Sequence, residues 1–323
     1  MQRLFVRLVV FLSCLTIPAL SGVAWVLIAV PSLAGEPKAE VALDKGNAFY
    51  SNGDLDAAIA AYDEAIRLNP KYAKAFCDRG SAYVCKRQYE KAIDDYTKAI
   101  RLNPELAEAY CGRGVIFGYF GLNGEFDKGI ADFTEVIHLN PKLAAPYYGR
   151  GAAYMHKGEY DRAIRDFDEA LQLVSSNDIS NMSLVYCNRG VVWGLKGEYD
   201  KAIADFSQAV AVNPKDVASY VALARIEATC LDEKYRDGKQ AVENANKAYQ
   251  LSGGKRGSYL ATLAAAYAES GDFEKAKEWQ AKAIELAGND KSLTEKDRQE
   301  MRDCLELYKQ GKPYHVGPPK KKP

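Results

Sequence analysis

Five cations recur along the chain: Lys45, Arg79, Arg113, Arg150 and Arg189. Asp95, Asp132, Asp166 and Asp205 follow the four arginines after 16 or 19 residues. Two kinds of chemistry fit such a set. Unpaired, the cations would form a ladder for an anionic ligand. Paired with the aspartates, they would brace neighbouring helices, each exposed pair adding about 0.2–1 kcal/mol. The matched supply of opposite charge favours bracing. Seven cysteines and the three histidines His138, His156 and His315 are the other candidates for reactive or metal-binding groups. No two cysteines stand in a CxxC arrangement, so a zinc site would need scattered ligands. No serine or cysteine has a histidine near it in sequence to act as a base. The stretch SGGKRGS at Ser252–Ser258 lacks the spacing of a phosphate loop and has no strand before it. These residues predict no catalytic centre, no metal and no cofactor.

The segments that carry the charges are copies of one another. AIRLNP occurs at Ala65–Pro70 and again at Ala99–Pro104, 34 residues apart, and the flanks align as well. Seven units result, near 39–72, 73–106, 107–143, 144–182, 183–216, 217–256 and 257–290. Numbering positions within a unit from Ala39, Ala73, Ala107, Ala144, Ser183, Val217 and Gly257, position 8 is always Gly or Ala: Gly46, Gly80, Gly114, Gly151, Gly190, Ala224 and Ala264. Position 20 is equally small, as in Ala58, Ala92 and Gly129. Rings recur at position 11 (Phe49, Tyr83, Phe117, Tyr154, Trp193, Tyr267) and at position 24 (Tyr62, Tyr96, Phe133, Phe167, Phe206). Pro70, Pro104, Pro141 and Pro214 stand at position 32, where a proline ends a helix. Gly253 and Gly288 can stop the helices that lack one.

This pattern resembles the tetratricopeptide repeat, a helix–turn–helix unit that stacks into a solenoid. The match is specific over five units and degenerate over the last two. The resemblance implies an all-α fold: a TPR solenoid, a right-handed superhelix of about seven hairpins, whose small residues at positions 8 and 20 mark where paired helices cross. Extra residues at Gly121–Gly124, in SSNDISNMS after unit four and in LDEKYRDGK of unit six are expected in turns. Residues 294–310 predict an amphipathic capping helix with Met301, Leu305 and Tyr308 on one side, and 311–323 a disordered tail.

In such arrays the first helices line a groove through positions 2, 5, 9 and 12. A chaperone-binding subset clamps a peptide carboxylate there with lysines, an arginine and asparagines. The equivalent places in units one to three hold Leu43, Asn47, Asp78, Glu108 and Gly112. In units four to six they hold Tyr148, Ala152, Asn188, Ala218 and Ala222. That clamp is absent. The groove candidates are instead Cys77, Ser81, Cys111, Val115, Tyr148, Ala152, Leu184, Cys187, Val191, Val221 and Arg225, mostly apolar or aromatic. They suit an apolar peptide or an amphipathic helix, unless they pack on one another or the tail fills the groove. Cys77 and Cys111 read as small apolar groups.

Lys plus Arg equals Asp plus Glu at 43 each, so no basic field exists to hold nucleic acid. Arg3 and Arg7 precede Leu8–Val30, a run of 23 uncharged residues, and Ser32-Leu33-Ala34 follows. Residues 1–34 therefore predict a signal peptide or an N-terminal membrane anchor, with the remainder outside the cytoplasm in both cases, periplasmic, secreted or anchored. The expected function is a non-catalytic, exported scaffold for another protein, without a small-molecule substrate. The alternatives are an accessory subunit of an envelope enzyme or of a secretion or assembly complex, or an enzyme whose site is not visible in the sequence.

Overall fold

The asparagine of each LNP or VNP triplet, not the proline alone, shapes the joint between hairpins. Asn69, Asn103, Asn140 and Asn213 leave the helix with extended backbone, and each still donates its N–H to the helix. Each side-chain Oδ1 then accepts the backbone N–H two residues on, from Lys71, Glu105, Lys142 and Lys215, at 3.0–3.2 Å. Proline fits between them because it has no N–H to place.

A computed structural model describes residues 37–121, 124–254, 256–288, 290 and 293–317. The predicted leader lies outside the described residues. Among those described, the chain is all α apart from one isolated bridge, with fifteen α-helices. It falls into two units divided between Leu173 and Val174. The N-terminal unit holds α1 (Pro37–Ser51), α2 (Leu55–Leu68), α3 (Ala73–Cys85), α4 (Tyr89–Leu102), α5 (Ala107–Gly114), α6 (Phe126–Leu139), α7 (Ala144–Lys157) and α8 (Tyr160–Leu173). The C-terminal unit holds α9 (Ile179–Lys196), α10 (Tyr199–Val212), α11 (Val217–Thr229), α12 (Gly238–Ser252), α13 (Gly257–Glu269), α14 (Phe273–Gly288) and α15 (Glu295–Lys309).

Second helices bury a stripe at i, i+3, i+4 and i+7, as α4 does with Ala92, Asp95, Tyr96 and Ala99. The position-24 ring lies against the position-8 glycine of its own hairpin. A Cβ on Gly46 would meet Tyr62 at 2.4 Å, and one on Gly190 would meet Phe206 at 2.9 Å. The ring also reaches the next first helix: a Cβ on Gly112 would meet Tyr96 at 2.3 Å, and one on Gly149 would meet Phe133 at 2.5 Å. One aromatic thus joins two successive hairpins.

The described residues of the first insertion and most of the unit-six one lie between helices as expected, whereas the one before unit five runs into a helix. In unit three the first helix continues from α5 into a π-helical turn, Val115–Tyr119, with the Phe120 N–H bonded to the Val115 carbonyl at 3.1 Å. The added sequence before unit five lengthens α9, which starts at Ile179 with Asp178 accepting the Asn181 N–H. Residues 233–235 of the unit-six insertion form a 3₁₀ turn. Gly253 takes the left-handed conformation that ends α12, but Gly288 stays in α14 as its last helical residue.

The capping helix α15 opens on a reciprocal Thr294–Asp297 capping box. Its buried stripe is Asp297, Met301, Cys304 and Tyr308, with Leu305 half-buried. Gln280, which replaces the position-24 ring in unit seven, donates to the Met301 carbonyl at 2.8 Å, so the cap takes over the place of a next hairpin. The tail expected to be disordered is half-buried over 313–317; residues 318–323 lie outside the described residues.

Candidate protein-binding faces

The charge ladder is a brace. Arg79 holds Asp95 in a two-pronged pair at 2.8 and 2.6 Å, and Arg113, Arg150 and Arg189 hold Asp132, Asp166 and Asp205 in the same way. Each pair joins the two helices of one hairpin. The remaining guanidinium nitrogen reaches back to the preceding hairpin: Arg79 to Asp63, Arg113 to Thr97 Oγ1 at 2.9 Å, and Arg150 to Thr134 Oγ1 at 3.1 Å. Each guanidinium also lies 5.5–6.0 Å from the ring three residues before it, Phe76, Tyr110, Tyr147 or Tyr186. Lys45 is the exception. Ala61 stands where its aspartate would be, and Lys45 lies over Phe49 instead.

None of the eleven groove candidates is exposed. Cys77, Ala152, Cys187, Val191 and Val221 are buried and belong to the packing of the array, so they are not a surface a partner can touch. Val221, for instance, packs against Ala248 and Tyr259. Their burial follows from position 5 or 9 turning toward the neighbouring hairpin once small residues let the helices approach. Ser81, Cys111, Val115, Tyr148, Leu184 and Arg225 remain half-buried.

In the N-terminal unit these half-open residues sit beside ring tips. Tyr62 donates to Asn47 Oδ1 at 2.8 Å, the Tyr96 hydroxyl lies 3.1 Å from Ser81 Oγ, and the Tyr148 ring is 5.9 Å from that of Phe167. An ion pair that the sequence reading did not select, Lys74–Asp78 at 2.8 Å, stands one helical turn apart on α3. Burial pushes the Asp78 carboxyl above its ordinary range, with Lys74 opposing and Glu108 adding. Spacing of i,i+4 on the inner side of α3 was the available signal.

In the C-terminal unit Arg225 lies within α11, and burial pushes its pKa down to about 10, against the opposing influence of Tyr314, Tyr199 and Cys304. Tyr314 belongs to the tail, so part of the chain's own end lies over this inner position. The six described cysteines are free. Burial drives the Cys77 and Cys187 thiols upward and takes Cys111 to about 12, far from the thiolate a nucleophile or metal ligand needs. Among the described residues no group of three His, Cys, Asp or Glu could hold a metal, and no helix is long and apolar enough to cross a membrane.

Hairpins of this kind define a repeat scaffold that presents helix faces to other molecules. Sequence patterns of the tetratricopeptide repeat family match residues 46–86, 73–106, 144–177, 183–216 and 258–290. The chain belongs to that family, whose arrays are protein–protein interaction scaffolds. No curated protein matches the sequence. A tetratricopeptide repeat protein from Parabacteroides merdae is similar in fold, with a TM-score of 0.53 at 16% identity over 84% of this chain and 99% of that one. The Cut9–Hcn1 hetero-tetramer of APC/C gives a TM-score of 0.61 at 18% identity; 81% of this chain is covered but 48% of that one. MamA protein is 25% identical over 55% of this chain and 93% of its own, with a TM-score of 0.48.

Proposed function

We propose that this protein is a non-catalytic scaffold that holds an apolar peptide or amphipathic helix of a partner protein against the first-helix face of its N-terminal unit, outside the cytoplasmic membrane. One observation carries the reading. Cys111, Val115 and Tyr148 stay half-open and uncharged, while the arginines of the same hairpins are engaged in braces. Recognition there rests on apolar area and ring contacts, not on anion capture. The extracytoplasmic location is supported by Arg3 and Arg7 ahead of the uncharged run Leu8–Val30. The raised pKa values of the Cys77, Cys111 and Cys187 thiols favour a role without chemistry.

The test is a photo-crosslinking residue at Tyr148 in native cells, beside a control at the exposed Gln172 of α8. A single defined adduct from Tyr148 and none from Gln172 is expected. Equal labelling from both, or none from Tyr148, would move the search to the outer helices.

A further inference from the structure

Two stretches outside the repeat meet each other: the unit-six insertion and the C-terminal tail. After α15 the chain turns at Gly311, and the Lys312 N–H bonds back to the Leu307 carbonyl at 3.0 Å. Tyr314 then packs on the cluster of Ala264, Ala268, Cys304 and Tyr308. His315 Nε2 comes 2.7 Å from Glu269 Oε2. The Val316 N–H donates to the Thr229 carbonyl at 2.6 Å, and Val316 pairs with Cys230 in a parallel bridge. That carbonyl is one of the last of α11, a group that helices leave without an internal partner.

The insertion builds the seat. Arg236 donates from Nε to Glu269 Oε1 at 2.8 Å and from Nη1 to the Cys230 and Leu231 carbonyls at 2.9 and 3.0 Å. Glu269 is thereby fixed on one side and offers its other oxygen to the tail. The seat has three parts in order: a ring site, a carboxylate and a backbone acceptor. We propose that this strip is a peptide-docking site that residues 314–317 fill in cis. In trans it takes an extended segment of another protein that reads aromatic, Lys or Arg, β-branched. A lysine or arginine in the middle place gives Glu269 a permanent positive charge, where the tail gives it an imidazole. The alternation of aromatic and β-branched side chains about one backbone bond is how an added strand is recognised.

The proposal rests on the scaffold reading but concerns the other unit, so a Tyr148 adduct neither supports nor opposes it. Fluorescence anisotropy would follow a labelled Lys312–Gly317 peptide, and a second with Lys in place of histidine, on two full-length chains. One is the wild type; the other carries Tyr314→Ser, His315→Ser and Val316→Ser. The emptied chain is expected to bind at least about tenfold tighter, since the wild-type site is mostly filled. The lysine peptide should bind tighter than the histidine one, and Glu269→Gln should erase that preference. Equal affinity for both chains, or no binding to an emptied chain of unchanged helicity, overturns the proposal. A second measurement uses only the wild type: excess lysine peptide should speed chymotryptic cleavage after Tyr314, and an unchanged rate overturns it. Sedimentation showing a wild-type dimer that the triple substitution abolishes would make a second copy the occupant, and overturn the proposal as well.

Discussion

Asn244 donates from Nδ2 to both carboxylate oxygens of Glu227, at 2.8 and 3.1 Å. Asn244 occupies position 23 of unit six, where the other braced hairpins have aspartate. Leu223 fills the arginine position, and Glu227 lies one helical turn further along α11. The sixth hairpin therefore keeps a polar tie between its two helices with donor and acceptor exchanged. Burial outweighs the Asn244 bond and raises the Glu227 pKa, as it does for Asp95 and Asp132 despite their arginine partners.

A raised folded-state pKa means that the folded chain holds this proton more tightly than the unfolded one. The favourable contribution is fully present below the unfolded value, about 4.3, and is lost as pH rises through the folded one. Glu227→Gln keeps an acceptor for Asn244 and removes the charge. It should be more stable than wild type at pH 7, by under about 1 kcal/mol once solvent screening is allowed for. The two should converge near pH 4. Urea midpoints at both pH values would check it, and a variant less stable at pH 7 would show that the ionised carboxylate is the preferred partner.

Gly129 and Gly194 should respond to alanine in opposite senses. A Cβ on Gly129 would stand 2.3 Å from the Gly118 nitrogen and 2.4 Å from its Cα, so backbone would have to move at the crossing of α6 with the π-helical turn. Gly129→Ala should cost about 3 kcal/mol. A Cβ on Gly194, in the interior of α9, would meet nothing nearer than Ala202 Cβ at 4.0 Å. Gly194→Ala should stabilise by about 0.5–1 kcal/mol, the helical advantage of alanine. Thermal melts of both variants would decide, and a destabilised Gly194→Ala chain would refute the open-space reading.

The 34-residue period made the helices, the small crossing residues and the Arg–Asp pairs legible, because each depends only on position within a unit. Features that break the period were not. The π-helical turn needs knowledge of how α6 seats on its partner, and the tail's seat joins Val316 to Thr229 and His315 to Glu269 across long stretches of chain. The helical pattern predicts Leu305 in the buried stripe of α15 and Cys304 takes it, a shift of one residue that a short helix pattern cannot resolve. The groove candidates suffered in a similar way. Helical spacing placed Val191 and Val221 on the inner side but could not tell how tightly successive hairpins close over them. A local signal was also available and unused: position 15 takes the left-handed conformation in Gly53, Gly121, Gly158, Gly197 and Gly271, and in Arg87 with φ 58°.

Thiol labelling offers a last separation. Cys85 is the exposed cysteine among the six described, with its sulfur 3.2 Å from the Tyr50 hydroxyl. Cys111 is half-buried with its pKa pushed up to about 12. Cys77, Cys187, Cys230 and Cys304 are buried, and burial raises all four thiols. Alkylation proceeds through the thiolate and needs access. At neutral pH iodoacetamide should modify Cys85 first, Cys111 far more slowly, and the other four only when the hairpins around them open. Peptide mapping by mass spectrometry over a time course would read the order. Because Cys77 and Cys187 sit between hairpins, early labelling there would mean that the repeats part locally well before the array unfolds, and the inner faces would then be wider than the packed structure allows.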